Sequence, residues 1–394
     1  MVMFKRAVLV SMLLMLLVSV NAASVLGAAP PADQPIVSSY LLTQADPKLS
    51  DEEKVKNAID TYFRLRYEEQ KLLKTQDFSF LLTDQSQQWV QKEKDRREIE
   101  LYRSMLYRLN YLEYKYLLDY NGIQVENNSA TVHLTESNSV VHAAIAPQVS
   151  AMGGLKHVIK LSRTKTGWTI AADEYQDEFT EVLASVPKNT FIERIRLEHE
   201  AELRKAASIT FSPLKDPLSI TSLTWHSYNR TEAVNYANKY GYWQGSPGWV
   251  SNRNPNYYDF ENSGGDCTNY ASQVIHDGGG AVMNYNQWYY TDVNHRSASW
   301  TGVGYLYTFL VNNTGTGPHG FSTDQCTMDP GDIIQLYNGS WYHSLVVVWS
   351  SHPTSCYNAD AITVNTHTND WYHKPLSYWS GITKRYIGIS GWYN

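Results

Sequence analysis

The chain has 394 residues, a formal net charge of −6 and only 18% charged residues. This charge balance provides no basic surface of the kind that binds nucleic acid, so nucleic acid is excluded as an expected partner. The length is enough for two domains.

The first 22 residues have the pattern of a secretory signal peptide. Lys5 and Arg6 precede an apolar run from Ala7 to Val20, and small residues follow up to Ala22. The run is shorter than the roughly 20 residues that span a bilayer, so cleavage is favoured over a membrane anchor. No later stretch is apolar enough to cross a membrane. We therefore expect a secreted protein, extracellular or cell-wall-associated, with no integral membrane segment after cleavage.

Helical signals begin after a proline-containing segment. Residues 23–49 have little periodicity, which predicts a flexible lead-in. Ser50 and Glu53 have the spacing of a capping box, in which each side chain bonds the backbone N–H of the other residue. The apolar spacing that follows predicts one helix after Ser50 and a second over Ser86–Asn110.

After the second helix the apolar period changes to two. Alternation around Val132–Leu134 and His157–Leu161, and a turn before Trp168–Ala171, predict an antiparallel meander. Two helices and a meander make a small α+β domain over residues 50–182. Its order, with "GWTIAADEYQDEF" as the last strand, resembles the cone-shaped nuclear-transport-factor-2-like domains. No chemistry is assigned to this domain.

The composition changes in the second half of the chain. A charged stretch predicts a connector helix over residues 183–214. From Lys215 onward the chain is poor in charges but contains 10 of its 12 tryptophans. Residues 215–394 are therefore predicted to form a second, loop-rich α+β domain with an aromatic core.

One cysteine stands at the start of a predicted helix. Two glycines precede Asp266, a good N-cap residue, and the residues after Cys267 have an apolar helical face that ends at Gly278–Gly280. Unpaired N–H groups and the helix dipole at this position favour a thiolate and can stabilise an oxyanion. We therefore interpret Cys267 as the nucleophile of an acyl-transfer reaction rather than as a structural thiol.

The other two cysteines can account for a disulfide. The three cysteines lie in the last third of the chain, and an odd number in an exported protein leaves at least one thiol without an intramolecular partner. A bond between Cys326 and Cys356 would close a modest loop and contribute about 3–4 kcal/mol in the chain-entropy model. That pairing leaves Cys267 as the free thiol.

A base is expected from the strand that follows Asn338-Gly339, a hairpin signal. His343 begins that strand, and the third site residue should come from the next strand, Asp360–His367. If the two strands pair antiparallel with His343 opposite His367, the second histidine orients the first. Asn365 lies on the same face and is the alternative.

A metal site is another possible use of the histidines. No pair among them has a recognised ligand motif, so we expect neither a metal nor a cofactor. The histidines considered as zinc ligands are His343, His352, His367 and His373.

Four segments of the last third, in order, resemble the putative amidase domain family, a branch of the papain-like cysteine hydrolases of exported bacterial proteins. They are "YNRTEAVNYANKY", "GGDCTNYASQVIHDGG", "GDIIQLYNGSWYHSLVVV" and "THTNDWYHKPLSYW". The resemblance covers about residues 225–394 and implies Cys267 as nucleophile, His343 as base and His367 at the third polar position. It also implies a helix that carries the cysteine, packed on an antiparallel sheet. The aromatic segment Trp288–Tyr305 does not align, so the substrate cleft stays undefined.

Together these residues predict an exported cysteine amidohydrolase that acts on a peptide or cell-wall amide. His343 would take the thiol proton, Cys267 would attack the carbonyl carbon, and water would release the acyl-enzyme. Two alternatives remain. One is acyl transfer to an amine by the same residues, as in a transglutaminase-like cross-linking enzyme, and the other is a non-catalytic cell-wall-binding module.

Overall fold

The computed structural model describes the chain in seven ranges, and in this part no helix is long and apolar enough to cross a membrane. The predicted signal peptide, Cys356 and His352 lie outside the described residues. The fold is α+β, with helices on both faces of a long antiparallel sheet. The described ranges are 36–83, 87–206, 223–241, 243–244, 249–250, 252–351 and 362–394.

The helices form an N-terminal and a C-terminal group. They are α1 (Ile36–Ala45), α2 (Asp51–Leu72), α3 (Gln87–Tyr107), α4 (Thr180–Ser185), α5 (Lys188–Ala206), α6 (Arg230–Gly241), α7 (Cys267–Gln273), α8 (Ala298–Thr301) and α9 (Val303–Asn312). The predicted capping box is confirmed at the start of α2, where Glu53 N donates to Ser50 Oγ at 3.2 Å and Ser50 N to Glu53 Oε2 at 2.7 Å.

The strands include three long ones in the N-terminal half, the first three of the series, of 14–16 residues each. In chain order the strands are β1 (Tyr111–Glu126), β2 (Ser129–His142), β3 (Val149–Thr164), β4 (Gly167–Glu174), β5 (Trp225–Ser227), β6 (Trp243–Gln244), β7 (Trp249–Val250), β8 (Gly317–Thr323), β9 (Ile333–Tyr337), β10 (Trp341–Ser350), β11 (Ile362–Thr366), β12 (Asp370–Pro375) and β13 (Thr383–Tyr393). The predicted meander includes β1, which the sequence pattern did not indicate.

Helix α1 lies within the predicted flexible lead-in. Tyr40 is fully buried, and its hydroxyl donates to the Trp168 carbonyl oxygen at 2.6 Å. Gln44 accepts from the Trp168 N–H at 2.9 Å and donates to the Lys54 carbonyl. This helix is therefore stabilised by contacts with α2 and β4. The proline content of the lead-in, on which the prediction of flexibility depends, does not indicate such tertiary contacts.

A single sheet passes through both halves of the chain. Its order is β1-β2-β3-β12-β11-β10-β9-β13-β5, with β4 added beside β3 and β8 beside β13. The two halves join where β12 pairs antiparallel with β3, for example Trp371 with Met152. The sheet thus brings residues from the N-terminal half beside the strands predicted to hold the site.

The central strand β10 is buried on both faces. Leu345 and Val347 belong to the cluster that includes α3 and α5, whereas Val346 and Val348 belong to the cluster that includes α6, α7 and α9. Alternating side chains of one strand therefore contact the two groups of helices. A further cluster lies between α2 and the meander.

Candidate active site

The candidate nucleophile is the first residue of α7. Cys267 is 5% exposed and is a free thiol, as the cysteine count predicts. Cys326 is disulfide-bonded. Because Cys356 lies outside the described residues, its pairing with Cys326 stays a prediction.

Glycines end the cysteine helix where the sequence predicts. Helix α7 continues into a π-helical turn, Val274–Gly278, and Gly280 has a φ of +83°. At Gly279 a Cβ atom would lie 1.7 Å from Cε2 of Tyr228. The glycine run therefore lets this end of the helix approach Tyr228, which lies two residues before α6.

Asp266 fixes the start of α7 in a way that differs from the predicted N-cap. Its side chain makes no capping bond. Instead Oδ1 accepts from the Phe260 N–H at 3.0 Å and from Asn269 Nδ2 at 2.8 Å, and Oδ2 accepts from His367 Nδ1 at 2.5 Å. Burial tends to raise the pKa of Asp266, but the hydrogen bond to His367 and the charge of that ring lower it below its usual range.

His367 is held on both sides of its ring. Besides the Asp266 contact, its Nε2 lies 2.6 Å from the Tyr240 carbonyl oxygen, and its ring stacks on Tyr270 at 3.9 Å between centroids. A carboxylate and a carbonyl oxygen are both acceptors, so only the doubly protonated imidazolium satisfies the two contacts. His367 therefore forms an ion pair with the residue that precedes the cysteine.

The sulfur of Cys267 contacts the beginning of β10. Burial raises the pKa of the Cys267 thiol, while the Ser344 backbone N–H and the Thr268 hydroxyl, 3.8 Å from the sulfur, oppose that shift without cancelling it. The Thr268 hydroxyl also lies 2.9 Å from Ser344 Oγ. The thiol is therefore protonated near neutral pH and lies against the residue that follows His343.

His343 is buried and oriented through its Nε2 atom. Nε2 lies 3.2 Å from Thr366 Oγ1, which also lies 2.9 Å from the carbonyl oxygens of Ser344 and His367. The hydroxyl hydrogen goes to one of these carbonyls, so its oxygen accepts from an Nε2–H. Burial lowers the pKa of His343 to about 3, and the ring is neutral at pH 7. Its Nδ1 lone pair is then the basic position.

The predicted third residue does not meet His343. In the structure Val346 pairs with Asn365 and Val347 with Val364, one position away from the predicted register. A shift of one residue turns side chains to the other face, so Thr366 takes the place predicted for His367. Asn365 instead donates to Asn238 Oδ1 at 3.0 Å.

The described contacts do not join the two candidate catalytic residues. The sulfur of Cys267 contacts the Ser344 N–H, whereas the ring of His343 contacts Thr366 and Glu178. Among the described residues, no hydrogen bond connects Cys267 to His343. In the same ranges no group of three or more His, Cys, Asp or Glu side chains is arranged to hold a metal ion.

Comparison with known families identifies this part of the chain. Residues 227–389 match the family model of the "Putative amidase domain". The match includes Cys267, His343 and His367 and excludes the N-terminal half. No curated protein and no solved structure matches the chain significantly.

One residue outside the amidase domain reaches its candidate base. Glu178 Oε1 lies 3.7 Å from His343 Nε2 and accepts from Trp371 Nε1 at 2.9 Å. Burial, and then the charge of Asp177, raise the pKa of Glu178 to about 8. Both partners are therefore neutral at pH 7, and the contact is not an ion pair. Nothing in the local sequence around Glu178 indicates this contact, because β12 and the segment before α4 meet only in the tertiary structure.

The segment that did not align in the sequence supports the cysteine helix of the amidase domain. Trp288 and Trp300 are fully buried. Trp288 Nε1 donates to Ser272 Oγ at 3.1 Å, and Trp300 Nε1 donates to Asn269 Oδ1 at 2.8 Å. These aromatic side chains therefore hold α7 in place through Ser272 and Asn269, and Asn269 is occupied by contacts within the protein.

Proposed function

We propose that the amidase domain is an exported cysteine amidohydrolase that cleaves an amide of a peptide or of the cell wall. The family match supports amide hydrolysis in general. The cysteine mechanism is supported by one observation above all: a free, buried thiol begins α7 and contacts the backbone N–H of the residue next to His343. Export is supported by the sequence pattern of residues 1–22.

In the proposed reaction the resting pair is a thiol and a neutral imidazole. Nδ1 of His343 takes the thiol proton as the sulfur attacks the amide carbonyl carbon. N–H groups at the start of α7 stabilise the oxyanion of the tetrahedral intermediate. The imidazolium then gives its proton to the departing amine, and the carbon–nitrogen bond breaks. Water, deprotonated by His343, then attacks the thioester. The carbon–sulfur bond breaks, the acid product leaves, and the imidazolium returns its proton to the sulfur.

In this mechanism, substrate binding must bring the imidazole of His343 to the sulfur of Cys267, because among the described residues no contact joins the two groups. Catalytic hydrogen bonds are often long in unliganded enzymes and shorten when the substrate is bound. The neutral pair avoids the cost of keeping two buried charges in the absence of substrate.

The test is product analysis with purified peptidoglycan fragments and with peptide amides. The unaltered chain should release a new amine and a new carboxylate, and mass spectrometry of a quenched reaction should find the acyl group on the Cys267 peptide. Cys267→Ala should abolish both signals while leaving the melting temperature nearly unchanged. Hydrolysis that survives in Cys267→Ala would contradict the cysteine mechanism.

The same experiment separates the two alternatives. If an added primary amine is incorporated in place of water, the chain is an acyl-transfer enzyme with the same nucleophile. If fragments bind equally well to the unaltered chain and to Cys267→Ala, and no product forms, the chain is a non-catalytic binding module.

A further inference from the structure

A cavity lies between the N-terminal helices and β12, apart from the thiol of the candidate active site. Its volume is about 90 Å³. One water needs roughly 10–15 Å³ of such space, so the cavity has room for a small molecule. Both halves of the chain contribute to its wall, which includes Arg103, Ser104, His142, Trp371, Lys374 and Tyr378.

Arg103 presents an unpaired cation to this cavity. It is 2% exposed, and its Nε and Nη1 atoms are buried without a hydrogen-bond partner. Its guanidinium carbon lies 4.5 Å from the ring centroid of Phe179 and 4.6 Å from that of Tyr378. Aromatic faces attract a cation, but they do not replace the hydrogen-bond acceptors that it loses on burial.

Lys374 is a second cation of the same kind. It is 3% exposed, and its Nζ atom lies 4.1 Å from the ring centroids of both Trp371 and Tyr378. Within the described ranges its Nζ atom forms neither a hydrogen bond nor an ion pair. Burial, and then the charge of Arg103, lower the pKa of Lys374 to about 7. Two neighbouring buried cations without a counter-ion are costly, since a buried charge is ordinarily paired.

Carboxylates that line the cavity do not neutralise these cations, because they have other partners. Glu100 accepts from Arg96 Nε at 3.1 Å, and Asp177 accepts from the same guanidinium. Glu136 accepts from the Tyr67 hydroxyl at 2.5 Å and lies 3.3 Å from His157. The cavity therefore contains two cations that no carboxylate pairs. The carboxylates in its wall are bound to other groups but still contribute negative charge around the cavity.

We propose that this cavity binds a small monocarboxylate, held by Arg103 and Lys374 and packed against the rings of Trp371 and Tyr378. A planar carboxylate matches the hydrogen-bond geometry of a guanidinium group. The paired carboxylates in the wall repel a dianion more strongly than a monoanion, so a single negative charge is preferred. The aromatic rings provide an apolar contact for a short hydrocarbon tail.

The test is calorimetric titration of the full chain with sodium propionate at about pH 6, with sodium chloride adjusted to constant ionic strength. One propionate should bind saturably. Arg103→Met and Lys374→Met keep much of the apolar side chain but remove the charge, and each should weaken binding at least tenfold. Lys160→Met removes an exposed cation from β3 and should leave the affinity unchanged.

Further arms identify the site and the ligand class. Cys267→Ala should bind propionate as the unaltered chain does, which separates this cavity from a product site at the thiol and makes the result independent of the proposed hydrolysis. Without ligand, Arg103→Met and Lys374→Met should melt no lower than the unaltered chain, because each removes an unpaired buried charge. Three results would overturn the proposal. They are a lack of saturable propionate binding, binding by both methionine variants that is as tight as that of the unaltered chain, and tighter binding of inorganic phosphate than of propionate.

Discussion

At the residue scale, the hydroxyl of Thr366 determines which nitrogen of His343 can act as a base. It accepts from Nε2 and donates to a backbone carbonyl, so the lone pair of the neutral ring is on Nδ1. In a cysteine mechanism the imidazole must present that lone pair to the thiol. The neutral state of both groups also separates this site from one that relies on a preformed thiolate–imidazolium pair.

Removal of the Thr366 hydroxyl should lower activity by releasing the ring. Thr366→Val should reduce kcat/KM about tenfold, since a buried hydrogen bond of this kind contributes about 1 kcal/mol and its loss also leaves acceptors unpaired. Thr366→Ser keeps the hydroxyl and should retain most of the activity. Steady-state kinetics on the same amide substrate compare the three chains, and equal losses in both variants would show that methyl packing, not the hydroxyl, is important.

Glu178 should make the stability of the chain depend on pH in a defined direction. Its folded-state pKa of about 8 is above the unfolded value, so the folded state keeps a proton that the unfolded chain releases. The resulting stabilisation is fully present below the unfolded pKa of about 4.3 and is lost as the pH rises to about 8. Glu178→Gln removes this dependence. The melting temperature of the variant minus that of the unaltered chain should therefore rise steadily from pH 5 to pH 8, because only the unaltered chain loses this stabilisation.

The exposed Glu174 provides a control for this measurement, because Glu174→Gln removes a carboxyl on β4 that is far less buried. The difference in melting temperature between Glu174→Gln and the unaltered chain should stay constant over the same pH range. In addition, Glu178→Gln should preserve kcat/KM at pH 6, where Glu178 is already neutral. A large loss of activity at pH 6 would mean that an ionised Glu178 assists His343.

At the element scale, local sequence signals predicted the helices and strands that carry the candidate site residues but not the register between the strands. The Ser50–Glu53 capping box, β9 and β10 are predicted correctly because each depends on neighbouring residues. The β10–β11 pairing contains an irregularity between Val347 and Trp349, and another separates Trp341 from His343 on the β9 side. Such bulges add a residue on one strand and have no simple sequence signal, so the third site residue could not be assigned.

The same limit explains which site residues the sequence could reveal. Cys267 has local signals, namely a preceding glycine pair and a helical pattern, and His343 follows a hairpin signal. Thr366 and Glu178 acquire their roles only through strand register and through contact between the two halves of the chain. Asp266 was predicted at the right position but for a different contact, because its partner His367 lies on another element.

The ion pair of Asp266 and His367 should couple the start of α7 to the end of β11. Asp266→Asn removes one charge of a buried pair and should destabilise the chain by about 3 kcal/mol at pH 7. The folded-state pKa of Asp266 is below its usual range, so its stabilisation is present above the unfolded pKa of about 3.9 and is lost as the pH falls further. Urea unfolding at several pH values should show a difference that shrinks below about pH 4, and a constant difference would contradict the ion pair.

At the scale of the whole molecule, the amidase domain depends on the N-terminal half for one face of its sheet. The cluster on that face combines residues of β9, β10 and β11 with residues of α3 and α5. Without α5, apolar side chains such as Leu345 and Val347 would be exposed to water. The continuous β3–β12 pairing adds backbone hydrogen bonds across the same junction. These contacts imply that the described parts of both halves unfold together.

Phe191 on α5 offers the most direct test of that dependence. It is fully buried, and its ring closely approaches Gly381 at the end of the amidase match. Phe191→Ala should reduce the free energy of unfolding by about 3–5 kcal/mol, the usual cost of emptying a large buried site. Leu197→Ala on the same helix removes a side chain that is 47% exposed and should cost far less. Calorimetry should show one transition in all three chains, displaced to lower temperature in Phe191→Ala. A second transition that stays unmoved in Phe191→Ala would mean that the amidase domain folds independently of the N-terminal half.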